Sequence, residues 1–197
     1  MPDHSTRIAV YCGSNPGRDE RFLAAATALG TALAGAGHEV VYGGGHVGLM
    51  GAVADAALAA GGSVTGVITD QLVASEIAHP RLTTLEVVAS MHERKARMTE
   101  LADAVVVLPG GFGTLDEAFE VLTWNQLGIV AVPVVFLDVG DYYRDLFAFL
   151  DRAAESGLLR PAHRAMAQRA GSVDEAVRLV GDPAPPTAPK WLDRDRA

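Results

Sequence analysis

"HEVVYGGGHVGLMGAVADAALAAGGSVTGVIT", residues 38–69, decides the fold. A short apolar run ends in three glycines. A helix-forming stretch of small residues follows, and after another glycine pair a second apolar run begins. Strand, helix, strand, with both strands apolar almost throughout, is the pattern of a parallel sheet covered on both faces. The small residues of 48–60 suit a helix lying close against such a sheet.

The same alternation continues on either side. Upstream, "RIAVYCG" (7–13) reads as a buried strand, and "ERFLAAATALGTALAGAG" (20–37) sets Phe22, Ala25, Leu29 and Leu33 at helical spacing before glycines stop it. Downstream, "LTTLEVV" (82–88) predicts a fourth strand, and "SMHERKARMTELA" (90–102) a helix capped by Ser90. "DAVVVLPGG" (103–111) predicts a strand and its exit, followed by a helix from about Thr114 to Gln126. "VPVVFLD" (132–138) is a further strand, "YYRDLFAFLDRAAESG" (142–157) an amphipathic helix, and "SVDEAVRLV" (172–180) a short last helix capped by Ser172. The expected fold class is α/β: a Rossmann-like, doubly wound parallel sheet with helices on both faces, in one domain over residues 1–182. Residues 183–197 form a Pro-rich tail that Trp191 could tack down.

The totals limit the function. The chain has 197 residues and a net charge of −8, with no basic stripe. Partnership with nucleic acid or an anionic membrane surface is therefore not expected. The longest apolar run, "IVAVPVVFL" (129–137), is too short to span a bilayer, and the N-terminus lacks the pattern of a signal peptide. A single cysteine, Cys12, excludes an internal disulfide framework and fits a reducing compartment, so cytoplasm is the expected location. The six histidines are scattered without metal-ligand spacing, and neither a Walker A sequence nor a G-x-S-x-G elbow occurs.

Three glycine clusters each follow a predicted strand: "CGSNPG", "GGGHVG" and "PGGFGT". Ligands of open α/β sheets sit at the carboxyl ends of strands, so the three clusters mark one site. Gly43-x-Gly45-x-x-Gly48, with Asp70 ending the next strand, formally matches a dinucleotide fingerprint. It follows the second strand of its unit instead of the first, which weakens the match. A tight strand-to-helix turn and the glycine wall of a nucleotide site remain alternatives there. "PGGFGT" (109–114) is the stronger signal: glycines let successive N–H groups converge on one anion, and the following helix adds its positive end. Its plainer reading is a turn before a helix whose first acids, Asp116 and Glu117, complement the dipole.

Adjacent residues on a helix point about 100° apart, so only one of these two carboxylates can face a ligand. Phosphate and carboxylate can share a small site when a ribose 5-phosphate separates them. The carboxylate then stabilises positive charge developing at C1 and orients or deprotonates water. "SMHERKARM" supplies cations, with Arg94 and Arg97 sharing a face and Lys95 turned aside. A solvated face paired with Glu93 and Glu100 is the plainer account of that run.

Together these segments resemble the "Lonely guy" family of cytokinin-activating phosphoribohydrolases. Its paired signature, P-G-G-x-G-T-x-x-E with an upstream M-H-x-R-K helix, reads here "PGGFGTLDE" (109–117) and "SMHERKARM" (90–98). "YCGSNPG", "GGGHVGLMGAVADAAL", the "SEI" around Glu76 and "VLTWNQLGI" (121–129) agree, and the likeness runs from about residue 7 to 160. The resemblance implies hydrolysis of N6-substituted adenosine 5′-monophosphates to free base and ribose 5-phosphate, with no metal or organic cofactor. It implies Glu117 as catalytic carboxylate and Arg94 as its partner. It places the phosphate on Gly110, Gly111, Gly113 and Thr114, and matches Glu76, Lys95 and Thr123 to substrate-contacting positions. Phe112, Leu115 and Asp116 complete the substrate-binding motif, Phe112 and Asp116 being its variable positions. It also implies a homodimer with the site near the interface. The segment "ASEIAHPRL" (74–82), which borders the base pocket in relatives, is short here. A carrier of a pterin-type cofactor on the same scaffold, and a nucleosidase of broader base range, are the competing functions. A "lysine decarboxylase" reading, which family members also attract, lacks its residue. Lys95 and Lys190 are the only lysines, one on a charged helix and one in the tail.

Overall fold

The fold is built on seven parallel strands, seen in a computed structural model that describes residues 6–75 and 77–181. The predicted strands and helices form in order, joined by short elements that the sequence did not predict, at 70–74, 161–164 and 167–170. Strand β1 (Arg7–Tyr11) leads to helix α1 (Glu20–Gly35), β2 (Glu39–Tyr42) to α2 (Gly48–Ala59), and β3 (Val64–Thr69) to the single turn α3 (Asp70–Ala74). Then come β4 (Thr84–Val88), α4 (Met91–Leu101), β5 (Ala104–Val107), α5 (Phe112–Leu127) and β6 (Val134–Leu137). Helices α6 (Arg144–Glu155) and α7 (Pro161–Arg164), strand β7 (Ala167–Ala170) and helix α8 (Val173–Gly181) complete the chain. Ser90 accepts from the Glu93 amide and Ser172 from the Glu175 amide, as expected of caps.

The strand order is β4-β3-β2-β1-β5-β6-β7, and every pairing is parallel. Alternate strand residues feed two cores. Ile8, Val10, Val40 and Val106 face α1, α2 and α8; Ala9, Tyr11, Val41 and Val105 face α4, α5 and α6. The small residues of α2 bring it against another helix as well as the sheet: a Cβ at Gly30 of α1 would lie 2.3 Å from the Val53 carbonyl oxygen. Cover fails at β4, whose Leu85 and Val87 remain exposed.

Progress along the sheet reverses between β1 and β5, so the loops leaving these neighbours diverge and open a crevice at their carboxyl ends. The crevice is pinned at its base. Gly13 N–H donates to the Pro109 carbonyl (3.0 Å) and Leu108 N–H to the Tyr11 carbonyl (2.9 Å). All three glycine clusters follow strands that end here, namely β1, β2 and β5.

Candidate active site

A cavity of about 820 Å³ occupies the crevice. Its walls include Gly13, Ser14 and Asn15 after β1, Gly43 after β2, Pro109–Thr114 after β5 and Tyr142 after β6. Among the described lining residues only Arg94 and Glu117 carry charge.

Helix α5 dictates one end. The first four N–H groups of a helix have no intrahelical acceptor, and side-chain caps usually satisfy some of them. Asp19 caps α1 and Ser90 caps α4, but Gly111 offers α5 no side-chain cap. The N–H groups of Gly111, Phe112, Gly113 and Thr114, together with the positive helix end, are therefore left for a ligand. The glycines here are not explained by the protein's own packing. A Cβ at Gly111 or Gly113 would meet nothing within 4 Å, and neither has a positive φ. Gly110 differs, because its Cβ would lie 2.1 Å from the Thr114 hydroxyl oxygen. If the open space at Gly111 is a ligand's, Gly111→Ala leaves the melting temperature unchanged while raising KM for a phosphorylated ligand about tenfold. Steady-state kinetics beside thermal unfolding measure the two effects separately.

Glu117 sits on the same helix, three residues after Thr114 and so on nearly the same face. Its side chain is 13% exposed, and Arg94 Nη1 donates to Oε1 at 3.1 Å. Burial raises the Glu117 pKa; Arg94 opposes that rise without cancelling it. Asp116 points away to solvent, where Lys95 pairs with it at 3.0 Å. The helix thus turns one acid of the adjacent pair into the cavity and the other out.

Arg94 does not use its planar fork on open space. Nε donates to the Val67 carbonyl (2.9 Å) and Nη2 to the Gly43 carbonyl (3.2 Å), which leaves Nη1 for Glu117. Gly43 makes room for this. A Cβ there would lie 1.8 Å from Arg94 Nη2, so the first glycine of the fingerprint-like triplet accommodates a guanidinium. Arg97, expected to share a face with Arg94, does not join it at the cavity. Arg97 lies one turn further along α4, away from the strand ends, and pairs with Glu86 (2.7 Å) and Glu100 (3.4 Å). Glu93 accepts from the Ala89 amide and, among the described residues, pairs with no arginine.

The structure brings Arg94, Gly110, Gly111, Phe112, Gly113, Thr114 and Glu117 onto the cavity. It sets the other motif positions apart. Lys95 Nζ is held by Asp116 and Glu120 (3.2 Å); burial pulls its pKa down, but these partners outweigh that and raise it. Leu115 packs into the core beneath α5. Thr123 is exposed, and its hydroxyl donates to the Phe119 carbonyl (2.7 Å). Glu76, Lys190 and Trp191 lie outside the described residues. Sequence reasoning passed over Tyr142, which lines the cavity from the loop after β6. The rule that sites gather at strand carboxyl ends was the available signal. No cluster of three or more potential metal ligands occurs among the described residues.

Comparison with known proteins adds to this geometry. The model of a family described as "Possible lysine decarboxylase" matches residues 50–180. The cytokinin riboside 5′-monophosphate phosphoribohydrolase of Rhodococcoides fascians is 44% identical over 177 residues, covering 89% of each chain. One from Arabidopsis thaliana is 43% identical over 179 residues, 91% of this chain and 84% of that protein. Among solved structures, the molybdenum cofactor binding protein of Rippkaea orientalis aligns over 90% of this chain and 96% of its own with a TM-score of 0.70, at 21% identity. The Moco carrier protein of Chlamydomonas reinhardtii gives 0.68 at 22% identity, covering 90% of this chain and 96% of that chain. At such identities these two show a shared fold.

Proposed function

Because this chain belongs to the family of cytokinin riboside 5′-monophosphate phosphoribohydrolases, we propose that its cavity hydrolyses the N-glycosidic bond of N6-substituted adenosine 5′-monophosphates, and of AMP, releasing free base and ribose 5-phosphate. One observation carries the assignment of roles: Glu117, buried and ion-paired, projects into the cavity from the helix whose first amides are uncapped.

The phosphate rests on the amides of Gly111–Thr114. Helical rise is about 1.5 Å per residue, so Glu117 stands roughly 6 Å further along the axis than Gly113, about the span from a 5-phosphate to C1 of its ribose. Water attacks C1 as the C1–N bond breaks. The bonding pair leaves with the base, Glu117 takes the proton from the water, and that proton passes to the departing base, giving the free base and restoring the carboxylate. Its charge also stabilises the oxocarbenium-like sugar. Binding at the remote phosphate places C1 for this step. Arg94 fixes the carboxylate and favours its ionised form. Met50 and Ile77, which approach the position a Cβ of Gly45 would take to 2.9 and 3.5 Å, offer an apolar wall for the base. Phe112, 95% exposed at the mouth, offers a ring for stacking.

The decisive experiment incubates the protein with isopentenyladenosine 5′-monophosphate and with AMP and chromatographs the products. Free base and ribose 5-phosphate are expected; the absence of both overturns the reading. The carrier fold of the solved neighbours supports one competitor, binding without chemistry, and nucleotide retained intact over long incubation would establish it. Relative rates across bases separate a cytokinin enzyme from a broader nucleosidase. Decarboxylation through pyridoxal phosphate is not supported, since it needs a neutral lysine in the site. Lys95 is off the cavity, salt-bridged and raised in pKa.

The uncovered strand β4 supports a homodimer, with Leu85 38% and Val87 54% exposed on one face of the strand and Met91 48% exposed at the start of α4. Sedimentation is expected to give twice the chain mass and Val87→Glu the monomer mass; a dimer unmoved by Val87→Glu removes β4 from the interface. Residues 1–182 form the catalytic unit in this proposal, and a single, buried Cys12 supports a cytoplasmic setting.

A further inference from the structure

The loop between β6 and α6 makes an unusual turn. Gly140 (φ 62°) and Asp141 (φ 61°) are consecutive left-handed residues, and Asp141 is the one non-glycine with positive φ among the described residues. That conformation costs an L-residue about 1 kcal/mol and persists only where its surroundings enforce it. Here the surroundings are ionic. The buried Asp138 carboxylate accepts from Tyr143 N–H (2.8 Å) and Arg169 Nε (2.6 Å), and Arg169 also pairs with Asp141 (3.0 Å).

The result is that two successive tyrosines reach back to the glycine loop. Tyr143 OH donates to the Leu108 carbonyl at 2.6 Å, and Tyr142 OH to the Gly110 carbonyl at 2.7 Å. In a trans peptide the C=O and the following N–H point in opposite directions. With the Gly110 oxygen held towards Tyr142, the Gly111 N–H of the same plane is directed away from it. Phe22 packs edge-on against the Tyr142 ring at 5.4 Å and steadies it.

We propose that Tyr142 is a positioning residue that holds the glycine loop open for an anion through its hydroxyl bond to the Gly110 carbonyl, backed by Tyr143 and Asp138. This inference rests on the reading of that loop as the phosphate site. Its physical basis is that an anion is bound by N–H groups and repelled by carbonyl oxygens. A carbonyl tied back by a hydroxyl cannot swing into the nest, and the nest is set before the ligand arrives.

Titration calorimetry of the full chain with ribose 5-phosphate tests the proposal, using Tyr142→Phe and Tyr142→Ala beside wild type. Loss of one neutral hydrogen bond predicts roughly three- to tenfold weaker binding for Tyr142→Phe, and KM for AMP rises by the same factor. Its melting temperature stays within about 2 °C of wild type, because the half-exposed ring is retained. Tyr142→Ala is expected to bind no better than Tyr142→Phe. Wild-type affinity in Tyr142→Phe overturns the proposal, as does a weakening seen in Tyr142→Ala alone, which assigns the effect to the ring. A weakening accompanied by a larger fall in melting temperature reduces Tyr142 to structural support and overturns it too. Wild type that hydrolyses nothing and binds no ribose 5-phosphate defeats the phosphate reading itself, and this inference with it.

Discussion

Replacing Glu117 by glutamine is expected to lower turnover of AMP and of N6-substituted AMP by about a thousandfold while leaving nucleotide affinity within a factor of about two. The substitution keeps shape and one acceptor. Arg94 Nη1, now 3.1 Å from Oε1, finds an amide oxygen in the same place, and its other two bonds run to main-chain carbonyls that do not change. In the proposed binding mode the nucleotide is likewise gripped by the amides of α5. What disappears, on that proposal, is the negative charge beside C1 and a group able to accept a proton. The measurement pairs a nucleotide dissociation constant with the rate of base release in a single turnover. If Glu117→Gln turned over at the wild-type rate, the carboxylate role would have to move. Asp116, its neighbour, is 61% exposed and held by Lys95, a poor place for a base.

That contrast shows how far the sequence could be read. Adjacent acids at the start of a helix guarantee that one faces the sheet side and one does not, but nothing in "LDE" tells which. The choice is made by how α5 lies across β5 and β1, a tertiary matter. The strands themselves were plain, because a buried parallel strand must be apolar on both faces: "RIAVYC", "AVVVL" and "VPVVFL" have no other use. The turn Asp70–Ala74, the turn Pro161–Arg164 and strand Ala167–Ala170 were missed. Four or five residues carry too little periodicity, and "AQRA" is a strand only because β6 offers it an edge.

Within the site, the glycine loops were legible as backbone devices, and Arg94 as a cation near them. Its acceptors were not. Two are main-chain carbonyls, which any residue supplies, so Val67 and Gly43 bear no mark of their role. Thr123 and Lys95 entered through likeness to relatives, and in the single chain neither lines the cavity. Tyr142 went unremarked because a tyrosine at the start of an amphipathic helix normally reads as core.

Arg94 is the stronger test of how the site is charged. Replacement by methionine fills similar volume but leaves the Glu117 carboxylate buried without its cation, along with the Gly43 and Val67 carbonyls without their donors. Burial already holds the Glu117 pKa above the ordinary 4.5, and Arg94 is the largest influence acting downward. Without it the pKa rises further. A base works only when deprotonated, so the acid limb of kcat/KM must move to higher pH. At pH 7 activity is expected to fall at least a hundredfold, with part of it regained as pH is raised. Stability follows the same sign. Below the unfolded value Glu117 is protonated in both states and imposes no cost. As pH climbs from there through the raised folded value, the native state resists losing the proton and stability drops. Removal of Arg94 extends that window upward, so the unfolding temperature of Arg94→Met should trail wild type more at pH 8 than at pH 5. Arg94→Lys supplies charge but one nitrogen for three acceptors, so it should restore the position of the acid limb before it restores the rate. An acid limb unmoved in Arg94→Met means that some other group keeps Glu117 ionised, and Arg94 then serves only to place it.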